Sequence, residues 1–218
     1  MRLPFQLFAL VLALPVAAET RCEGTPVSIA APPLHAERLC TAVQAALPNL
    51  AACGLALETP VSITLTDRLP GDCLGLYHCG EQRIELLAPD ALSETRHADG
   101  VFAGLSDDHF FDSVVMHELA HAAHDARPCP SGLCVATSEY LAYNFQIMGL
   151  AAEDRARVEA ALDMQSPVSH DAVNKVILLF APNAFAARAW AHLNQRDDPC
   201  DYLRHVAAGD FTFDRPAR

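Results

Sequence analysis

Five consecutive residues, His117-Glu118-Leu119-Ala120-His121, constrain this chain more than any other stretch. Histidines four apart share a face only where the backbone is helical, because 3.6 residues make a turn. Two imidazoles so placed can ligate one zinc ion, and the adjacent carboxylate can take a proton from a water on that ion. In a chain of this length and composition the pattern arises by chance about 0.02 times, so composition alone does not produce it. The flanks agree with a helix to Asp125. Ser106 or Asp107 is placed to cap it, Asp107, Asp108 and Asp112 bring negative charge to its positive end, and Phe111, Val114, Val115, Leu119 and Ala122 lie along one side.

A catalytic zinc needs a third protein ligand and an open position. Glu139, 18 positions after His121 in Ser138-Glu139-Tyr140-Leu141-Ala142-Tyr143, is the best placed, since the spacing accommodates a loop and a second, returning helix. His124 shares the face of His117 and His121, but lies about 10 Å from His117 along the axis. His170 and His192 stay as alternatives that nothing in the sequence aims at the ion.

His117-Glu118-x-x-His121 followed by Glu139 in Glu-x-x-Ala form, with Ala142 one turn on, resembles the gluzincin branch of the zincin metallopeptidases over roughly Val61 to Gly149. The resemblance implies that His117, His121 and Glu139 hold Zn²⁺, that Glu118 is the general base, and that a peptide or protein is the substrate. It also implies an antiparallel edge strand that pairs with extended substrate, with Arg83–Leu87 as the counterpart. The metzincin pattern is absent, because His124 and Arg127 stand where it requires glycine and histidine. Peptide deformylases share the first motif and take a Cys ligand upstream. Gly71-Asp72-Cys73-Leu74 has that form, but Ala120 stands where the family has Asp before the second histidine. A non-enzymatic alternative is an exported zinc-binding interaction protein.

The N-terminus reads as a cleavable leader over residues 1–18: Arg2, an apolar run from Phe5 to Leu14, and Val16-Ala17-Ala18. That leaves 19–218 as one zincin-like domain, exported to the bacterial periplasm or secreted, with no membrane span once the leader is cleaved. All eight cysteines fall after the leader, and an even number in an exported chain reads as a disulfide framework. Short closures favour Cys73–Cys79 and Cys129–Cys134; Cys40–Cys53 would tie a helix to the chain after it, and Cys22–Cys200 follows by elimination. Fifteen cations against 27 carboxylates give a net charge of −12, opposite in sign to a phosphate-neutralising surface, so nucleic acid is excluded as a partner.

Helical spacing over Leu34–Leu47 ends at Pro48-Asn49, and Val61–Thr66 alternates as a half-buried strand. Gly71–Gly80 is turn-rich, Arg83–Leu87 is a second strand, and 96–106 is loop. From Ser106 onward the pattern is helical, with further helices over Val135–Gly149, Ala151–Gln165, Asp171–Phe180, Ala184–Gln195 and Cys200–Ala208. The expected fold class is α+β, a small zincin-like sheet followed by a predominantly helical, disulfide-bonded half. Tyr140, Tyr143, His124 and His170 are candidate oxyanion or supporting groups, although core packing explains either tyrosine and helix capping explains His124.

Overall fold

The computed structural model describes residues 19–130 and 132–214; the expected leader, 1–18, lies outside them. The fold is α+β. Strands β1 (Glu19–Arg21), β2 (Val27–Ala30), β3 (Val61–Thr66), β4 (Gly75–His78) and β5 (Arg83–Leu87) form one sheet in the order β1-β2-β3-β5-β4. β2, β3 and β5 run parallel, while β1 and β4 are antiparallel to their neighbours. The helices are α1 (Pro33–Ala52), α2 (Pro89–Thr95), α3 (Asp107–His124), α4 (Val135–Met148), α5 (Ala152–Ala160), α6 (Lys175–Phe180), α7 (Pro182–Asn194) and α8 (Pro199–Ala208).

Alternation along the strands decides which face meets the helices. Register aligns Ile29, Ile63, Ile84 and Tyr77 in one row across the sheet, all buried. The next row is Leu65, Leu86 and Gly75. The opposite face carries charge: Glu85 lies 2.6 Å from His78 and 3.1 Å from Arg83. The helix-facing rows thus end, at the sheet's edge, on a tyrosine and a glycine of β4.

Two expectations about elements change here. The edge strand is β4, inside the stretch read as turn, and Arg83–Leu87 lies inside the sheet between β3 and β4. Helix α1 runs through Pro48 to Ala52, where burial of Leu50 in the last turn offsets the hydrogen bond and the steric clash that an interior proline costs. The stop is Gly54 at φ +79°, a left-handed position, with Leu55 N–H returning to the Leu50 carbonyl at 3.0 Å.

The disulfides are Cys22–Cys40, Cys53–Cys200 and Cys129–Cys134. Only the last matches expectation. Cys40–Cys53 cannot form because Cys40 lies within α1 and Cys53 caps its C-terminus, thirteen residues or about 20 Å along the axis, whereas a disulfide joins Cα atoms about 6 Å apart. Cys40 instead reaches back to Cys22 beside β2, and Cys53 ties the end of α1 to the first turn of α8, so the expected Cys22–Cys200 pair does not form. Cys73 and Cys79 are unpaired thiols separated by the extended strand β4.

Candidate metal centre and its cleft

Helix α3 starts where the sequence places it, with the Ser106 hydroxyl accepting from His109 N–H. Helix α4 returns antiparallel to α3: Ser138 meets His121, and Gln146, two turns later, meets His117 and Ser113. Its first turn is held by Cys129–Cys134 and by Asp214, whose carboxylate accepts from Ala136 N–H (2.9 Å), Thr137 N–H (3.2 Å) and the Thr137 hydroxyl (2.6 Å). A carboxylate at a helix N-terminus meets both the free amides and the positive dipole end. This cap sits two residues from Glu139.

The pairing brings His117, His121 and Glu139 together, one ligand atom from each lying within 4.8 Å of the others. The two Nε2 atoms are 3.1 Å apart, and the Glu139 carboxylate lies 3.4 Å from His117 Nε2 and 3.5 Å from His121 Nε2. Hydrogen bonding fixes the far side of each ring. Buried Ser113 donates to the Phe110 carbonyl (2.7 Å) and accepts from Gln146 Nε2 (3.1 Å), so Gln146 Oε1 faces His117 Nδ1 at 3.0 Å as an acceptor. His117 therefore donates from Nδ1 and presents the Nε2 lone pair to the cluster. His121 Nδ1 is paired with Ser138 Oγ at 2.8 Å, which leaves Nε2 toward the cluster. Two imidazole nitrogens and a carboxylate oxygen form a donor set that fits a borderline-soft divalent cation.

Glu118 is buried beside the cluster and is not one of its three ligands. Its carboxylate packs on Gly75: a Cβ built there would lie 2.5 Å from Oε1, 2.6 Å from Cγ and 2.7 Å from Cδ. The Tyr77 backbone lies close enough to favour its charged form. Burial raises its proton affinity, with the two imidazoles pulling the other way. For Glu139, burial also favours the neutral form, but His121 and His117 outweigh it and hold the carboxyl well below the usual range. Tyr77 is gripped a second time by Asp125, the residue after α3, which accepts from its hydroxyl (2.9 Å), from Gly80 N–H (2.9 Å) and from Gln82 Nε2 (3.3 Å). The β4–β5 turn is thus pinned to the end of the ligand-bearing helix.

These groups line a cleft of about 730 Å³. One wall is β4, flanked by Cys73 and Cys79. Phe102, Phe110 and Val114 form an apolar part, closed by the 96–106 loop that Arg96 holds through the carbonyls of Ala103 and Leu105, its guanidinium 4.7 Å from the Phe110 ring. Residues 27–216, from the first residue of β2 to beyond Asp214, match the model of a family of unknown function, DUF6639. The chain belongs to the DUF6639 family. No curated protein and no solved structure matches it.

The soft candidates of the DUF6639 chain separate cleanly. Tyr143 lines the cleft with its ring edge-on to His117 at 4.7 Å, and burial, then Glu139 and Glu118, raise its hydroxyl pKa. Tyr140 points the other way, stacked on Phe213 at 4.0 Å with its hydroxyl 2.9 Å from His192 Nδ1. His170 stacks on the same Phe213 at 4.6 Å, away from the cleft, so both belong to a packed aromatic cluster. His124 reaches the cleft wall one turn beyond His121 but is not in the ligand cluster; it is buried, and that burial takes it down to about 4. Cys73, the ligand a deformylase-like site would use, is also outside the cluster.

Sequence reasoning missed Gly75, Tyr77, Ser113, Gln146 and Asp125. For two of them a signal was present. Ser113 lies four residues before His117, and Gln146 seven after Glu139, both on the ligand-bearing faces.

Proposed function

We propose that this chain is an exported zinc-dependent peptidase, with His117, His121 and Glu139 as metal ligands and Glu118 as the proton-transfer group. The observation that carries the reading is the division of labour around one point. Three donors converge, both histidines with supporting hydrogen bonds in place, while a second carboxylate, Glu118, stands beside them uncommitted to that cluster. A purely structural site is closed by four protein ligands and has no use for a free carboxylate there.

Zinc in such a site supplies Lewis acidity toward a water and a carbonyl oxygen. Glu118 takes the proton from the attacking water and passes it to the leaving amine nitrogen. Tyr143 offers a phenolic hydroxyl to the developing oxyanion. β4 offers a sheet edge, apart from the Tyr77 backbone that faces Glu118, to an extended chain, with the Phe102–Phe110–Val114 wall for an apolar side chain. Export is supported by the leader-like N-terminus and by three disulfides, which persist in oxidising compartments.

The test is metal analysis of the purified chain followed by cleavage of an unbiased peptide mixture with and without chelator. About one zinc per chain and chelator-sensitive cleavage are expected. Glu118→Gln should keep the metal and lower turnover by about 10² to 10⁴-fold. Glu139→Ala should lose metal. Bound zinc with no chelator-sensitive cleavage would overturn the reading in favour of a metal-binding interaction protein.

A further inference from the structure

We infer that Cys73 and Cys79 form an oxidisable pair whose slow conversion to an internal disulfide dismantles β4, the edge strand beside the His117–His121–Glu139 cluster. Six of the eight cysteines are paired, and these two are the exception: neighbours in cysteine order, both exposed, both lining the cleft, one at each end of β4. Cys73 lies within electrostatic reach of Glu118 and Glu139, and Cys79 within reach of Asp125.

Strand and disulfide are mutually exclusive. β4 is held extended from Gly75 to His78 by its register with Leu86 to Arg83, and those residues alone span about 10 Å, with both cysteines beyond the ends. A disulfide requires Cα atoms about 6 Å apart. The closed ring itself is small but feasible, since Cys129–Cys134 in the same chain closes at a sequence separation of 5. The strand has four residues and a single neighbouring strand, so opening it breaks one short ladder together with the Tyr77–Asp125 contact. Its loss removes the Tyr77 backbone from Glu118, the Tyr77 hydroxyl from Asp125, and the Gly75 surface on which the Glu118 carboxylate rests.

The chemistry needs an external disulfide as oxidant. One thiolate attacks it and releases one oxidant thiol; the second cysteine then displaces the other, so two S–H bonds become one S–S bond and the oxidant leaves as two thiols. Burial and neighbouring carboxylates raise both thiol pKa values, which slows this exchange and lets the dithiol form persist.

The consequence for catalysis rests on the peptidase reading; the bond and the strand loss do not. The full chain is treated with oxidised glutathione and followed by intact mass, peptide mapping, amide hydrogen exchange and peptide cleavage. The expected result is loss of two hydrogens, a Cys73–Cys79 cross-linked peptide, exchange of residues 75–78 faster by about tenfold or more, and cleavage reduced to background. Cys79→Ser should retain exchange protection and cleavage under the same oxidant. Glutathione adducts in place of an internal bond, an internal bond that leaves 75–78 protected, or equal inactivation of Cys79→Ser would each overturn the inference. Absence of cleavage in both redox states would count against the peptidase reading alone, because mass and exchange still decide the redox pair.

Discussion

Gly75→Ala tests the join between sheet and helix most directly. The glycine adopts ordinary strand geometry, so the substitution asks only about space. The new methyl would meet Glu118 Oε1 at 2.5 Å, about 1 Å inside ordinary contact, with Cγ and Cδ almost as close. Glu118 is buried and β4 is pinned through Tyr77 to Asp125, so either the carboxylate shifts toward the cleft it lines or the strand yields. Overpacking of this kind costs about 1–3 kcal/mol of stability. A proton-transfer group displaced by about 1 Å costs on the order of 100-fold in turnover, or about 2.7 kcal/mol in the barrier. Metal should be retained, because His117, His121 and Glu139 do not touch Gly75. The assay combines zinc stoichiometry, thermal unfolding and kcat on a cleaved peptide. Full zinc, an unchanged melting temperature and kcat within twofold of the parent would refute the packing argument.

Gln146→Leu removes the acceptor for His117 Nδ1–H and should weaken zinc binding by about 10 to 100-fold in chelator competition; affinity within twofold would show that the ring needs no such support. Cys53→Ala/Cys200→Ala opens a bridge spanning 147 residues and should cost up to about 5 kcal/mol by chain entropy, against about 2 kcal/mol for Cys129→Ala/Cys134→Ala, readable as a larger drop in urea midpoint. Burial takes His192 and His124 down to about 4, so the unfolded chain, with histidine near 6.5, binds their protons first. Their contribution to stability is therefore fully present above about pH 6.5 and declines as pH falls toward 4, by up to about 1.4 kcal/mol per pH unit for each group. His192→Gln should flatten that slope in urea titrations, and an unchanged slope would refute the assignment.

How much of the site was legible depended on where each signal resides. His117, Glu118 and His121 are local: a four-residue spacing on a helix needs no partner to be read. Glu139 was legible because a short loop between amphipathic helices enforces an antiparallel return, and Gln146 repeats on the same helix face. Gly75 and Tyr77 carried no such mark. They matter because register sets them across from α3, and register comes from pairing with β5, whose own position depends on β3. The same reason separates the disulfides: a closure over five residues could be anticipated, but one over 147 could not.

The local sequence thus determined the α+β class, the histidine-bearing helix and its cap, and the identity of the converging donors. Periodicity, capping chemistry and short loops act over a few residues and can be read from them. Only the tertiary structure decided that β4, and not Arg83–Leu87, forms the cleft wall, that Glu118 rests on a glycine, that Asp214 caps the helix bearing Glu139, and that Cys73 and Cys79 stay apart. Each of these is a meeting of segments distant in the chain, set by the packing of a whole sheet face against α3 and α4.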